Sequence, residues 1–93
     1  MVDEIVRVIG ADQAKVNITW KGENGDLPDS VLFDSGDADV LQWITEAVRT
    51  GGVPGIKVDA TADFHGYVVD RYKATDDVTY NRIMCRPKTE FGQ

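Results

Sequence analysis

The stretch from Asp34 to Gly52 constrains this chain more than any other part of it. Val40, Leu41, Ile44, Ala47 and Val48 recur at spacings of three and four, which places them on one face of a helix. Trp43 flanks that stripe, while Asp39, Gln42 and Glu46 point toward solvent. Before it, Asp34-Ser35-Gly36-Asp37 puts short oxygen-bearing side chains where a helix start leaves amides unpaired. After it, Gly51-Gly52 supplies a left-handed stop, with Arg49 in the last turn and Pro54 just beyond. The pattern predicts a helix over Asp37–Arg49. A helix with a single apolar face is marginal alone and needs a second layer to cover that face.

That layer is predicted to be a sheet. In Lys15-Val16-Asn17-Ile18-Thr19-Trp20-Lys21, Val16, Ile18 and Trp20 face one way and the polar residues the other, the period of a half-buried strand. Gly22–Asp29 reads as a loop, since Asn24-Gly25 and Leu27-Pro28-Asp29 favour turns. Val31-Leu32-Phe33 reads as a short return strand, which makes a hairpin with a long tip. Downstream, Gly52–Gly66 is a long connection, and Tyr67–Tyr72 and Val78–Cys85 are two more strands separated by a turn at Thr75-Asp76-Asp77. Residues 2–9 fit either a strand or a helix. Ninety-three residues make one domain, 1–93, with its core in 14–88, an extra element within 1–13 and a flexible tail over 87–93. The expected fold class is α+β: a small mixed sheet of four to five strands packed on one helix.

This order resembles the β-grasp architecture of ubiquitin-like and sulfur-carrier proteins. The matching pieces are Lys15–Lys21, Val31–Asp34, the helix Asp37–Arg49, the connection Gly51-Gly52-Val53-Pro54-Gly55 and a strand ending near Arg86. The resemblance lies in the order of elements and implies a binding module or a protein conjugated through its C-terminus. Conjugated members end on two glycines, whereas this sequence ends Phe91-Gly92-Gln93. A tail acting through Phe91 and Gly92 is therefore the weaker expectation.

Catalytic signatures are missing. His65 is the only histidine, so a site built on two imidazoles cannot form within one chain. Cys85 sits inside a predicted strand, where an inert buried thiol is expected. Asp34–Asp39 has the look of a calcium loop but departs from the EF-hand pattern, with glycine third rather than sixth and Thr45 at the twelfth position. Neither serine lies in a nucleophile elbow, and no phosphate-binding glycine loop follows a strand. A non-enzyme without cofactor or metal is expected.

The net charge is −6, the wrong sign for a nucleic-acid binder. No apolar run approaches the length of a membrane span or a secretory signal, and the lone cysteine fits a reducing compartment, so a soluble cytoplasmic protein is expected. Charge is uneven: between Gly22 and Val48 there are seven acidic residues and no Lys or Arg. Asp26, Asp29, Asp37 and Asp39 therefore form a candidate acidic docking face. Tyr80, Arg82, Arg86 and Lys88 form a candidate basic-aromatic patch, which pairs by charge with the acidic stretch of a neighbouring copy. The expected partner is another protein or a copy of the chain itself. The function expected first is a small protein-binding module. The alternatives are an assembly component of a phage or other multi-subunit particle, and a ubiquitin-like modifier or carrier.

Overall fold

The structure, a computed structural model, describes residues 10–88. It contains strands β1 (Gln13–Trp20), β2 (Glu23–Asp26) and β3 (Val31–Leu32), helix α1 (Asp37–Thr50), and strands β4 (Val68–Tyr72) and β5 (Asn81–Arg86). The five strands form one mixed sheet in the order β2-β1-β5-β4, with β3 paired to β1 beyond β2. β1 and β5 run parallel at its centre, in a register that sets Lys15 beside Arg82 and Val16 beside Ile83. β2 and β3 are antiparallel to β1, and β4 is antiparallel to β5. Among the described residues, the chain adopts the expected α+β class, with one helix and one mixed sheet.

The two-residue period of β1 decides which face is buried. Ala14, Val16 and Ile18 are fully buried, and Ile83 and Cys85 join them from β5. Val40, Ile44 and Val48 of α1 belong to the same apolar cluster, so the helix covers this one face of the sheet. Each buried aliphatic side chain contributes about 1.5–3 kcal/mol relative to exposure. Leu41 and Ala47 are only partly buried, which narrows the predicted stripe to the three residues at strict four-residue spacing.

Three local expectations are corrected. Gly22–Asp29 is not a loop at a hairpin tip. Lys21 and Gly22, both at positive φ (50° and 82°), make a tight two-residue turn, and Glu23–Asp26 returns at once as β2. The long tip collapses into an interruption between β2 and β3, which line the same edge of β1. The helix start uses no side-chain cap: Gly36 is the capping residue and Ser35 Oγ donates back to the Leu32 carbonyl. Asp37 and Asp39 favour this end through their charge near the helix N-terminus instead. The last two strands begin later than expected, at Val68 and Asn81 rather than Tyr67 and Val78. The helix end is as read, with Gly51 left-handed at φ 80° and the Gly52 amide donating to Ala47 O at 2.7 Å. The readings for residues 2–9 and for Phe91 and Gly92 lie outside the described residues.

The connection between α1 and β4 forms part of the core. Val53, Ile56, Ala62 and Phe64 are all buried, and Phe64 is the largest fully buried side chain. Phe64 packs edge-on against Tyr67 (4.8 Å between centroids) and tilted against Trp20 (4.7 Å). Asp59 ties this segment to the sheet, accepting from Trp20 Nε1 at 3.0 Å and pairing with Lys21 Nζ at 3.2 Å. The hydroxyl and amide of Thr61, with Trp20, hold the Asp59 carboxyl well below the usual carboxylate range. Because its acidity rises on folding, Asp59 adds stability that is complete above its unfolded pKa of about 4 and declines as the pH falls below that value. Asp59→Asn should therefore destabilise the protein at neutral pH. In urea titrations, its difference from the parent should shrink steadily below about pH 4, where the unfolded parent takes up a proton first. A difference that stays constant to low pH would contradict this role.

Two polar clamps fix the ends of the core. Buried Asn81 donates to the carbonyls of Ala11 and Gln13 at 2.9 and 2.8 Å and accepts from the Ala74 amide at 2.9 Å. Half-buried Arg71 pairs with Asp37 Oδ1 at 2.7 Å and donates to the carbonyls of Phe33 and Ser35, so β4 holds the entry to α1.

Candidate functional site

With α1 on one face of the sheet, the opposite face carries the residues that alternate away from the core. Their rows follow from the registers: Asp26, Asn17, Met84 and Asp70 in one, and Lys15, Arg82 and Tyr72 in the next. Arg86 continues this face along β5, and Tyr80 lies just before that strand.

Lys15 and Arg82 are the unusual pair. Two cations set opposite one another on neighbouring strands repel, and such a pairing normally destabilises a sheet. Each lies against a tyrosine instead of a carboxylate. Lys15 Nζ is 5.5 Å from the centre of the Tyr80 ring, and the Arg82 guanidinium is 5.3 Å from that of Tyr72. The ion pairs among the described residues are Lys21–Asp59, Arg71–Asp37 and Arg86–Asp70, and neither Lys15 nor Arg82 takes part in one. Arg82 Nε is moreover buried and donates to no acceptor among the described residues. Leaving a buried donor unmatched costs about 1–3 kcal/mol, more where the group is charged.

These side chains frame a hollow of about 170 Å³, lined by Lys15, Asn17, Asp26, Tyr80, Arg82 and Met84. Met84 supplies an apolar surface there. Asp26, at the rim, accepts from Asn17 Nδ2 at 2.7 Å, and Asn17 also exchanges amide hydrogen bonds with Asn24. Beside the hollow, Arg86 donates to Asp70 at 3.1 Å and to the Tyr72 hydroxyl at 3.2 Å, which holds the Tyr72 ring near Arg82. The hollow thus offers two cations outside any ion pair among the described residues, the ring of Tyr80 and a thioether, with Asp26 at its rim and Tyr72 beside it against Arg82, a setting suited to a carboxylate carried beside apolar groups.

The structure brings Tyr80, Arg82 and Arg86 to this one face, as the sequence pattern implies, while Lys88 lies exposed beyond β5. Lys15, Asn17, Tyr72 and Met84 were not singled out from the sequence. Lys15 reads there only as a solvent-facing residue of its strand, and its placement beside Arg82 depends on a pairing between strands more than sixty residues apart. The four acidic candidates are dispersed. Asp26 borders the basic hollow, Asp29 lies exposed in the interruption before β3, Asp37 is engaged by Arg71, and Asp39 is exposed in the first turn of α1.

His65 is exposed, and Asp63 accepts from its backbone amide at 2.9 Å rather than orienting its ring. Cys85 is fully buried, and burial pushes its thiol up to about 12. A thiol reagent should label Cys85 slowly in the native protein and rapidly in denaturant; rapid native labelling would contradict its place in the core. Among the described residues, no three His, Cys, Asp or Glu side chains are grouped to hold a metal ion, and no helix is long and apolar enough to cross a membrane. A larger cleft of about 500 Å³ lies between β3 and the approach to β5, but the Asn81 side chain in its wall is already fully hydrogen-bonded. No protein-family model, curated protein or solved structure matches the chain.

Proposed function

We propose that this protein is a small, non-catalytic protein-binding module that receives an acidic segment of a partner on the outer face of its sheet. One observation carries the reading: among the described residues, Lys15 and Arg82 stand side by side with neither in an ion pair, and the buried Arg82 Nε donates to no acceptor. A partner carboxylate seated between them would relieve the repulsion and engage that donor through a charge-assisted hydrogen bond. Tyr72, Tyr80 and Met84 would pack against apolar groups beside that carboxylate, and tyrosine and methionine are favoured at protein interfaces. Among the described residues, a central parallel pair flanked by antiparallel strands and covered on one face by helix α1 supports a β-grasp-like scaffold for such a module. A protein partner is preferred over a nucleic acid because a net charge of −6 repels a polyphosphate chain while leaving a local carboxylate site usable.

A dye-labelled peptide Glu-Glu-Trp-Glu-Glu, its counterpart with lysine in place of glutamate, and an oligothymidylate of similar length provide the test by fluorescence anisotropy. The acidic peptide should bind, with affinity that falls as salt is raised. Arg82→Glu should weaken that binding at least about tenfold, the scale of losing one buried charged hydrogen bond. Preference for the lysine peptide or the oligonucleotide, or an unaltered affinity in Arg82→Glu, would overturn the reading.

A further inference from the structure

The helix side of the molecule carries the chemical complement of the sheet side. Asp39, Trp43 and Glu46 follow one another at spacings of four and three, so they share one face of α1. That face points away from the core formed by Val40, Ile44 and Val48. Trp43 remains 39% exposed there, although it is one of the largest apolar side chains in the chain. No Lys or Arg occurs from Gly22 to Val48, and Arg49, the basic residue of the last turn, turns its Nε to the carbonyl of Ala62 at 2.8 Å. The result is an aromatic anchor flanked by two carboxylates. Tryptophan is the residue most often found as the anchor of a protein interface. On the other side of the sheet lie two cations that form no ion pair among the described residues, flanked by two tyrosines and a methionine, with Asp26 at the rim of their hollow.

We propose that the acidic partner of the sheet face is helix α1 of a second copy of this chain, with Asp39 and Glu46 directed at Lys15 and Arg82 and Trp43 packed against Tyr72, Tyr80 and Met84. This rests on the reading of the outer sheet face as a carboxylate site and names its occupant. The two surfaces lie on opposite sides of the protein, so the contact is head-to-tail. The assembly as a whole still presents one free surface of each kind, one at either end. Such a contact propagates into a filament, or closes into a ring where the rotation allows. Because it pairs charges at exposed sites, the association weakens as salt is added.

Two variants, each with one surface broken, separate this arrangement from its rivals. Arg82→Glu removes the sheet surface and keeps the helix surface; Trp43→Gln with Glu46→Gln does the reverse. All of these positions lie outside the buried core, and circular dichroism checks that both proteins fold. In sedimentation velocity at low salt, the parent protein should grow in mass as its concentration rises from micromolar to millimolar. Each variant alone should remain a monomer. Their equimolar mixture should form a species of twice the monomer mass and grow no further, since only one productive interface is left. Continued self-association of either variant, or a monomeric mixture beside an assembling parent, would overturn the proposal. A parent that stays monomeric while still binding the acidic peptide would overturn the helix as occupant and leave the sheet-face reading standing; loss of both would overturn both.

Discussion

Phe64→Ala should destabilise the protein by about 3–5 kcal/mol, the usual cost of emptying a buried aromatic site. Phe64 is 2% exposed and meets Trp20 and Tyr67 through its ring, while the chain around it has neither helix nor strand. Removing the ring leaves a cavity in the apolar cluster that Phe64 shares with Ala62 and Val53. A domain of this size typically has about 5–15 kcal/mol in total, so the loss takes a large share of its stability. His65→Ala, one residue away and exposed, should stay within about 0.5 kcal/mol of the parent. Urea titrations of the two variants give the comparison. Equal effects would mean that the connection does not enter the core.

Gly25→Ala should be nearly as damaging, at about 3 kcal/mol, the upper end for overpacking a filled site. A methyl group at Gly25 would collide with the Pro54 carbonyl oxygen and sit 2.9 Å from Val53 Cγ1. Backbone cannot swing aside as the end of a flexible side chain can. The segment is held from its other side too, since the Lys57 amide donates to Glu23 Oε1 at 2.8 Å and a Cβ at Gly55 would lie 2.6 Å from Asn24 O. Gly22 makes the informative contrast. It has positive φ but nothing within 4 Å of an added Cβ, so Gly22→Ala should cost only about 1–2 kcal/mol, the left-handed penalty. Thermal unfolding of both variants decides between close approach and turn geometry as the reason for glycine at position 25. A larger loss at Gly22 would restore the sequence reading of Asn24-Gly25 as the turn.

That contrast shows where local pattern stops being informative. Helix α1 is legible because its stripe, its glycine stop and its flanking proline all lie within twenty residues and agree with one another. β1 is legible for the same reason, since alternation alone sets its buried face. β2 is not: Glu-Asn-Gly-Asp has poor strand propensity and forms a strand because β1 pairs with it and the Val53–Gly55 segment covers it. Ala62 and Phe64 alternate with Asp63 and His65, a faint two-residue period that the surrounding Asp, Thr and Gly residues obscure. The basic-aromatic patch was half legible. Arg82 and Arg86 share β5 and Tyr80 directly precedes it, so the three can be grouped by parity, whereas Lys15 and Tyr72 arrive through the β1–β5 and β4–β5 registers. The grouping of Asp26, Asp29, Asp37 and Asp39 into one face follows nearness in sequence, and the fold separates them because α1 and β2 lie in different layers of the structure.

The outer sheet face as the binding surface is tested most directly by following backbone and side-chain NMR signals while the peptide Glu-Glu-Trp-Glu-Glu is added. The account predicts shifts concentrated at Lys15, Asn17, Tyr72, Tyr80, Arg82 and Met84, with a downfield change at Arg82 Nε–H as that donor gains an acceptor, and all of them lost in Arg82→Glu. Shifts centred instead on Leu32, Phe33 and Lys73 around the larger cleft, or an Arg82 Nε–H signal unmoved at saturation, would contradict it.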